Sequence, residues 1–442
     1  MAQAKAKAIP VLPLVGSTIK VPGRTSPLAS AARSTAVPPL PCLQGSFDKL
    51  LYYKNIAFIY IKMLYIKIIT YILKFCRYLS EACLMARGFR DTRPALSEEI
   101  ALMEEIRARK MALGSELLIL THHYQRQEIV ALGDYRGDSF GLSQKATANR
   151  EARFIVFCGV HFMAESAAIL AQPHQTVQIP DLNAGCLMAD MVDLEQVEMA
   201  WAELTEIIGR GTMVPIVYMN SDASLKAFCG RRGGLVCTSA NARAAIAWGF
   251  GQGEKVFFFP DQHLGRNTGN RLGLWPEDMI VWNPEKPLGG NRPEDIRRAR
   301  LILWDGHCHV HTRFQVEHVL EMKETFPGAR LVVHPECTEE VVALADACGS
   351  TGFIANYVKE APPGSTIIVG TEINLVSRLA LEFPDREVLD LHYSLCPNMF
   401  KIDLAKLRWT LENPGSVNVV TIPEDIKSEA RLALDRMLSL SP

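Results

Sequence analysis

LILWDGHCHVHT, residues 301–312, carries the pattern on which the fold turns: four apolar residues stop at Asp305 and Gly306, and His307 and His309 then flank Cys308. So short an apolar run suits a strand buried on both faces, and reactive side chains gathered just past its end mark the C-terminal edge of a parallel sheet. Working outward, the same grammar of apolar run, polar loop and helical segment recurs at 117–120, 154–157, 177–179, 214–218, 235–237, 256–259, 331–333, 352–354, 366–369 and 388–391. Helical spacing is clear over 194–208 and over 316–326, the latter terminated by Pro327 and Gly328. An opening helix is signalled by Ser97 as its cap, by Glu98 and Glu99 at the positive end, and by Ile100, Met103 and Ile106, with Gly114 to stop it.

Strands alternating with helices predict an α/β protein built on short parallel sheets. Breaks near 192 and 313 divide the body into three α/β units, 96–191, 192–312 and 313–442, behind a front segment 1–95 of different character. The Gly-, Pro- and Asn-rich stretch 267–295 reads as a loop inserted in the second unit.

Residues 1–90 hold thirteen Lys and Arg against two acids, Asp48 and Glu81, which leaves 34 basic and 46 acidic groups, a net of −12, on the rest. That sign argues against nucleic acid as a partner, because phosphate binding wants the basic excess on the folded body. The first 47 residues contain five basic groups and no acid amid Ala, Ser, Pro and Thr, and read as a poorly ordered basic extension or a targeting segment. A soluble, intracellular, cytoplasmic protein is therefore expected, or a plastid or other organellar one where that segment is a transit peptide. Residues 50–76 are apolar, but Lys54, Lys62, Lys67 and Lys74 limit the longest uncharged run to 55–61. A span needs roughly 20 apolar residues, so no transmembrane span is expected. Eleven cysteines without a CxxC pair fit reduced thiols better than a disulfide framework.

Several strand exits carry chemistry. THHYQ, 121–125, supplies an imidazole and a phenol, and alternation sends His122 and Tyr124 to one face and His123 to the other. GDSF, 137–140, places Ser139 at the start of a helix, where a hydroxyl and free backbone N–H groups suit a carboxylate or phosphate. YMNSD supplies Tyr218 and Asn220 on one face, and CTSANA supplies Ser239. HPEC, 334–337, sets His334 and Glu336 two residues apart as an acid/base pair, with Cys337 facing the other way. GSTG, 349–352, adds Ser350 and Thr351 as anion-binding groups at the next strand.

Three apolar runs end on a cysteine: VQIPDLNAGC at Cys186, LWDGHC at Cys308 and EVLDLHYSLC at Cys396. One thiolate from each unit meeting at an iron-sulfur cubane would leave the fourth iron open to substrate, the arrangement of a catalyst rather than an electron carrier. Spacing alone does not select these three from eleven, and Cys158 in FCGVHFMAES also ends an apolar run.

The phrases taken in order, THHYQ, GDS, GVHFMAESAAIL, PDLNAGCLMADM, YMNSDASLKA, CTSANA, FPDQHLGRN, WDGHCHVH, HPEC, GSTG, GTE and CPNM, resemble the iron-sulfur quinolinate synthase (quinolinate synthetase A) family from about residue 96 to 440. The resemblance implies three similar three-layer α/β domains around a pseudo-threefold axis. It also implies a 4Fe-4S cluster with three Cys ligands, Cys186, Cys308 and Cys396, and one open iron. The implied activity is that of a transferase of de novo NAD (pyridine nucleotide) biosynthesis, condensing iminoaspartate with dihydroxyacetone phosphate to quinolinate with loss of phosphate and water. The open iron would act as a Lewis acid, with Tyr124, His334 and Glu336 moving protons. His122, Ser139, Tyr218, Asn220, Ser239 and Thr351, together with His334 and Glu336, would hold substrate. An iminoaspartate-producing enzyme and iron-sulfur assembly proteins are the implied functional partners. The chain departs from some relatives in having a single Cys before Pro397 and in its long 267–295 segment. Two other readings share the cysteine logic. One is a different 4Fe-4S-dependent hydro-lyase, against which THHYQ, CTSANA and HPEC together speak; the other is a non-enzymatic iron-sulfur sensor, which would need a fourth cysteine ligand.

Overall fold

The computed structural model describes residues 96–440, so the expectations for residues 1–95, their apolar stretch included, lie outside the described residues. Helix α1 (Leu96–Leu113) opens the described chain, and a first round of elements follows: β1 (Leu117–His122), α2 (Gln127–Val130), β2 (Tyr135–Gly137), α3 (Ser139–Ala148), β3 (Phe154–Cys158), α4 (His161–Leu170) and β4 (Thr176–Gln178). The second comprises α5 (Leu194–Ile208), β5 (Met213–Tyr218), α6 (Ala223–Arg231), β6 (Leu235–Cys237), α7 (Ala242–Gln252), β7 (Lys255–Phe259), α8 (Gln262–Arg271), β8 (Met279–Trp282), α9 (Pro293–Arg298) and β9 (Leu301–Trp304). The third comprises α10 (Val316–Thr325), β10 (Arg330–Val333), α11 (Glu339–Leu344), β11 (Ala347–Cys348), α12 (Thr351–Glu360), β12 (Thr366–Gly370), α13 (Ile373–Glu382) and β13 (Glu387–Asp390). Helices α14 (Leu404–Glu412) and α15 (Glu424–Ser439) close the described chain.

The strands form three sheets, ordered β2-β1-β3-β4, β6-β5-β7-β9-β8 and β11-β10-β12-β13. Their pairings are parallel, as the apolar runs between helices predict. All three share one order, second strand, first, third, last, and β8 is an addition beyond β9. Winding reverses between the first and third strands, so the loops leaving their C-terminal ends part and open a crevice, where such sheets bind ligands. Alternation fills both faces of the third sheet: Leu331, Val333 and Ile368 belong to one apolar cluster, Val332, Ile367 and Val369 to the other. A single larger core runs through the first two sheets.

Four local expectations are corrected. Residues 352–354 are not a strand but lie in α12, because Ser350 caps that helix and Ile354 and Val358, four apart, bury one helical face. Accordingly, Ser350 and Thr351 sit at a helix start rather than at a strand. The 267–295 segment is not one loop: α8 continues to Arg271, and Met279–Trp282 adds edge strand β8 to β9. Ser97 lies within α1 rather than capping it.

The last two helices return to earlier parts of the chain, α14 against α1 and α15 against α6, α4 and β6. Contact with α6 is made at Gly230, where an added Cβ would lie 1.8 Å from the carbonyl oxygen of Glu429. Arg436 Nη1 secures the same contact by donating to the carbonyls of Gly230 and Gly234, at 3.2 and 2.6 Å. Since the obstacle is backbone, Gly230→Ala is expected to cost at least about 2 kcal/mol. Urea unfolding with an unchanged midpoint would contradict this packing.

Candidate active site

One cavity collects the strand exits of all three sheets. The first strands supply His122 at the end of β1 and Tyr124 after it, Tyr218 at the end of β5 and Asn220 after it, and His334 and Glu336 after β10. The second strands supply Ser139 after β2, Ser239 after β6 and Thr351 after β11. The last strands supply Cys186 after β4, Cys308 after β9 and Cys396 after β13. All the anticipated site residues but Ser350 thus line the same cavity, each type at the corresponding point of each round; Ser350 instead caps α12 and donates to Asp138 Oδ2 at 3.1 Å.

The side chains expected to face away do so. Arg378 takes up His123, donating to its carbonyl at 2.8 Å and lying 3.1 Å from Nδ1. Cys337 is buried among Phe314, Val319 and Leu331, and Cys158 in the first core; neither lines the cavity.

Glu336 is the hub of the polar wall. Tyr218 donates to its Oε1 at 2.5 Å, and its Oε2 lies 2.7 Å from His311 Nδ1 and 3.7 Å from His334 Nδ1. His311 stacks on His334 with ring centroids 4.4 Å apart, and His334 Nε2 is 3.2 Å from Ser239 Oγ. A carboxylate only accepts, so this close approach, which falls outside hydrogen-bond geometry, favours the tautomer with the proton on Nδ1 and the lone pair on Nε2. That Nε2 lies 3.2 Å from the Tyr124 hydroxyl, which is also 2.6 Å from Thr371 Oγ1. Glu336, His311 and Tyr124 therefore form a continuous path for protons ending at the cavity. The sequence reading missed His311, although it stands three residues past Cys308 in the quoted motif: the turn in which His311 N–H donates to the Cys308 carbonyl at 3.1 Å carries it back to the cavity.

Burial sets the charge states. Burial, with Arg378 adding to it, pushes the His122 imidazole down to about 3, and burial beside His311 brings His334 down to about 3 as well. Burial opposes the charged form of Glu336, yet its histidine neighbours and the hydrogen bonds from His311 and Tyr218 outweigh that and hold it at about 2. Burial, with Glu336 nearby, keeps both phenols, Tyr124 and Tyr218, well above their ordinary range.

These states predict an acid-sensitive fold. An unfolded chain takes up protons on His122 and His334 below about pH 6.5, which the folded chain refuses until about pH 3. Stability is expected to fall by about 1.4 kcal/mol per pH unit per histidine across that window. Glu336, ionised in the fold, adds a further loss below its ordinary value as pH falls toward about 2. Burial raises the Glu372 carboxyl to about 8 and moves Asp261 the same way, which works in the opposite sense, so the check is made on the rings themselves: the His122 and His334 resonances should keep their neutral form from pH 7 to 4, and titration near 6.5 would contradict the buried neutral imidazoles.

The three cysteines share one local geometry. Backbone N–H groups of Ala189 and Met188 beside Cys186, of His311 beside Cys308, and of Met399 and Asn398 beside Cys396 favour the anionic sulfur in each case. Burial, with one another or Glu372 nearby, pushes the Cys186 thiol up to about 12 and Cys396 to about 11. Buried thiols of this kind stay protonated until a metal displaces the proton, and the N–H donors then favour the anionic sulfur. Three soft donors on one cavity suit a sulfur-rich metal centre. Cys308, His311 and Glu336 also bring one ligand atom each within 4.8 Å of one another, a group able to hold a metal ion.

The repeated parallel sheets, the gathered strand exits and a Cys/His/Glu group able to hold a metal ion define an α/β enzyme. The family model described as "Quinolinate synthetase A protein" matches residues 104–439, and the chain belongs to that family. It is 50% identical over 352 residues to the quinolinate synthase of Nocardioides sp., covering 77% of this chain and 89% of that one. It is 50% identical over 353 residues to the quinolinate synthase of Geobacillus kaustophilus, covering 78% and 95%. It is 47% identical over 346 residues to that of Corynebacterium glutamicum, covering 77% and 88%. Among the described residues no helix is long and apolar enough to cross a membrane.

Proposed function

We propose that this chain is a quinolinate synthase of NAD biosynthesis, joining iminoaspartate to dihydroxyacetone phosphate to give quinolinate, phosphate and two waters. The carrying observation is the placement of Cys186, Cys308 and Cys396 at the last strand exits of three like sheets, on the cavity that also holds the Glu336–His311–Tyr124 path. Three thiolates with N–H donors fit a 4Fe-4S cluster with one iron open, which when bound supplies a Lewis acid for substrate oxygen or nitrogen. Division of the body at about 192 and 313 belongs to the same reading, as do supply by an iminoaspartate-producing enzyme and loading by iron-sulfur assembly proteins.

The chain's own residues bind, orient and move protons. Thr351 Oγ1 is buried without a protein partner and aimed at substrate, at the start of α12 where backbone N–H groups favour an anion. Ser139 stands at the first position of α3 in the same way. With Ser239, Asn220 and Tyr218, these groups hold the carboxylates and the phosphate. Neutral His122 and His334 present ring N–H or lone pairs without a competing charge. Tyr124, at the end of the path from Glu336, gives and recovers the protons of enolisation and dehydration. Holding both substrates in one water-poor cavity fixes the reacting carbons at bonding range.

The test is anaerobic: reconstitute the chain with iron and sulfide and assay quinolinate from the two substrates. Stoichiometric cluster with no product would overturn the assignment. The Cys308–His311–Glu336 grouping favours a second reading, a single metal ion. One metal per chain without inorganic sulfide, in an active sample, would establish that reading instead.

A further inference from the structure

The motif FPDQHLGRN, 259–267, opens α8 and has no part in the chemistry above. Asp261 caps the helix, its Oδ1 accepting from Leu264 N–H at 2.7 Å. Beside the cap, Gln262 N–H donates to the Gly306 carbonyl at 2.9 Å and Gln262 Nε2 to Asp305 Oδ1 at 2.7 Å, which ties the helix start to the loop that carries Cys308. Gly265 and Gly269, four apart, seat one helical face on the second sheet: a Cβ would lie 2.3 Å from Leu303 Cδ2 at the first and 2.5 Å from Met279 Sδ at the second. The opposite face carries Asn267, Asn270 and Arg271, and all three reach the third round. Buried Asn267 donates from Nδ2 to the carbonyls of Pro335 and Cys337 at 2.9 and 2.8 Å; both partners only accept, which fixes the way the amide points. Asn270 Nδ2 donates to Glu339 Oε1 at 2.8 Å, and Arg271 Nη2 to the Cys348 carbonyl at 2.8 Å.

We propose that α8 is a positioning element that fixes two loops of the third round, the one bearing His334 and Glu336 and the one bearing Thr351, against the loop bearing Cys308. The proposal rests on the quinolinate synthase reading. Pro335 lies between His334 and Glu336, so the two bonds from Asn267 hold the turn that aims both side chains into the cavity. Cys348 stands three residues before Thr351, so Arg271 acts on the anion-binding group instead. The second and third sheets are separate, and the ladder bonds within each set no distance between the loops that leave them. A helix whose glycines let it lie directly on the second sheet is a stiff link across that gap. Drift of the 334–336 turn misaligns the acid/base pair, whereas drift at Thr351 loosens the hold on substrate and leaves the pair in place.

The experiment uses the full chain, reconstituted with iron and sulfide, with turnover and amide hydrogen exchange read on the same samples. Asn267→Leu, of similar volume but without the donor, should lower kcat roughly tenfold to a hundredfold, the cost of an ångström-scale misplacement, with KM within about threefold and cluster content parental. Its exchange should quicken in peptides covering 334–337 and stay parental across the three sheets. Arg271→Met, which keeps the stem of an exposed side chain, should instead raise KM for one of the two substrates roughly fivefold, the loss of one hydrogen bond. Its kcat should stay within about twofold, with faster exchange confined to 348–352. Parental turnover and exchange in either variant, exchange quickened through the whole chain, or one kinetic pattern shared by both variants would each overturn the proposal. Should Asn267→Leu fail to fold, the kinetics and exchange of Arg271→Met decide alone. A parent that loads iron and sulfide but makes no quinolinate instead brings down the functional reading; the exchange maps need no turnover and still decide whether α8 fixes the two loops.

Discussion

Cys308→Ser is expected to abolish the visible absorbance of the reconstituted chain and its synthesis of quinolinate, while Cys158→Ser retains both. The two cysteines each end an apolar stretch, and spacing does not separate them, whereas the family resemblance picks Cys308 alone. Cys308 lines the cavity, whereas Cys158 is fully buried in the first core. A serine oxygen is a harder and less acidic ligand than a thiolate, so an iron centre loses one of its three protein anchors. At position 158 the hydroxyl enters an apolar surrounding and costs on the order of 1–3 kcal/mol of stability without touching the metal. Iron and sulfide content read alongside thermal melts separates the two effects. Retention of the full cluster in Cys308→Ser would remove Cys308 from the ligand set.

Glu336→Gln is expected to lower kcat by roughly a hundredfold to ten-thousandfold, the range for loss of a positioned proton-transfer system, while cluster content stays at the parental level. The carboxylate accepts from Tyr218 on one oxygen and faces His311 Nδ1 with the other. An amide of the same shape presents a donor to one of these two donors. If its NH2 faces His311, the ring must place its proton on Nε2, which then meets the Tyr124 hydroxyl as a donor and closes the path. If it faces Tyr218, the phenol must turn its proton elsewhere. Neither arrangement leaves the developing imidazolium a counter-charge. Turnover within a few-fold of the parent would show that Glu336 serves only to shape the cavity.

Long central strands were legible because their apolar runs are short, uniform and bounded by polar loops. Edge strands β2 and β11 were not, since exposed Tyr135 and half-buried Ala347 leave no apolar run to read. Strand β8 has one, Met279–Trp282, but it lies inside a stretch whose Gly, Pro and Asn content signals a loop. Residues 352–354 misled for the opposite reason: three residues do not distinguish a period of 2 from one of 3.6. For the site, the parallel-sheet rule places reactive residues at strand exits, and those at such exits were found. His311 enters through a turn instead, three residues past Cys308.

Helices α14 and α15 are synthesised after all three sheets, yet they complete the burial of α1, α6 and β6. A nascent chain on the ribosome therefore exposes apolar surface on its first two sheets until translation has passed Ser439. Shortening the chain before Glu424 should therefore yield a protease-sensitive product rather than a folded fragment, and a truncated chain that resists protease as the parent does would contradict this packing.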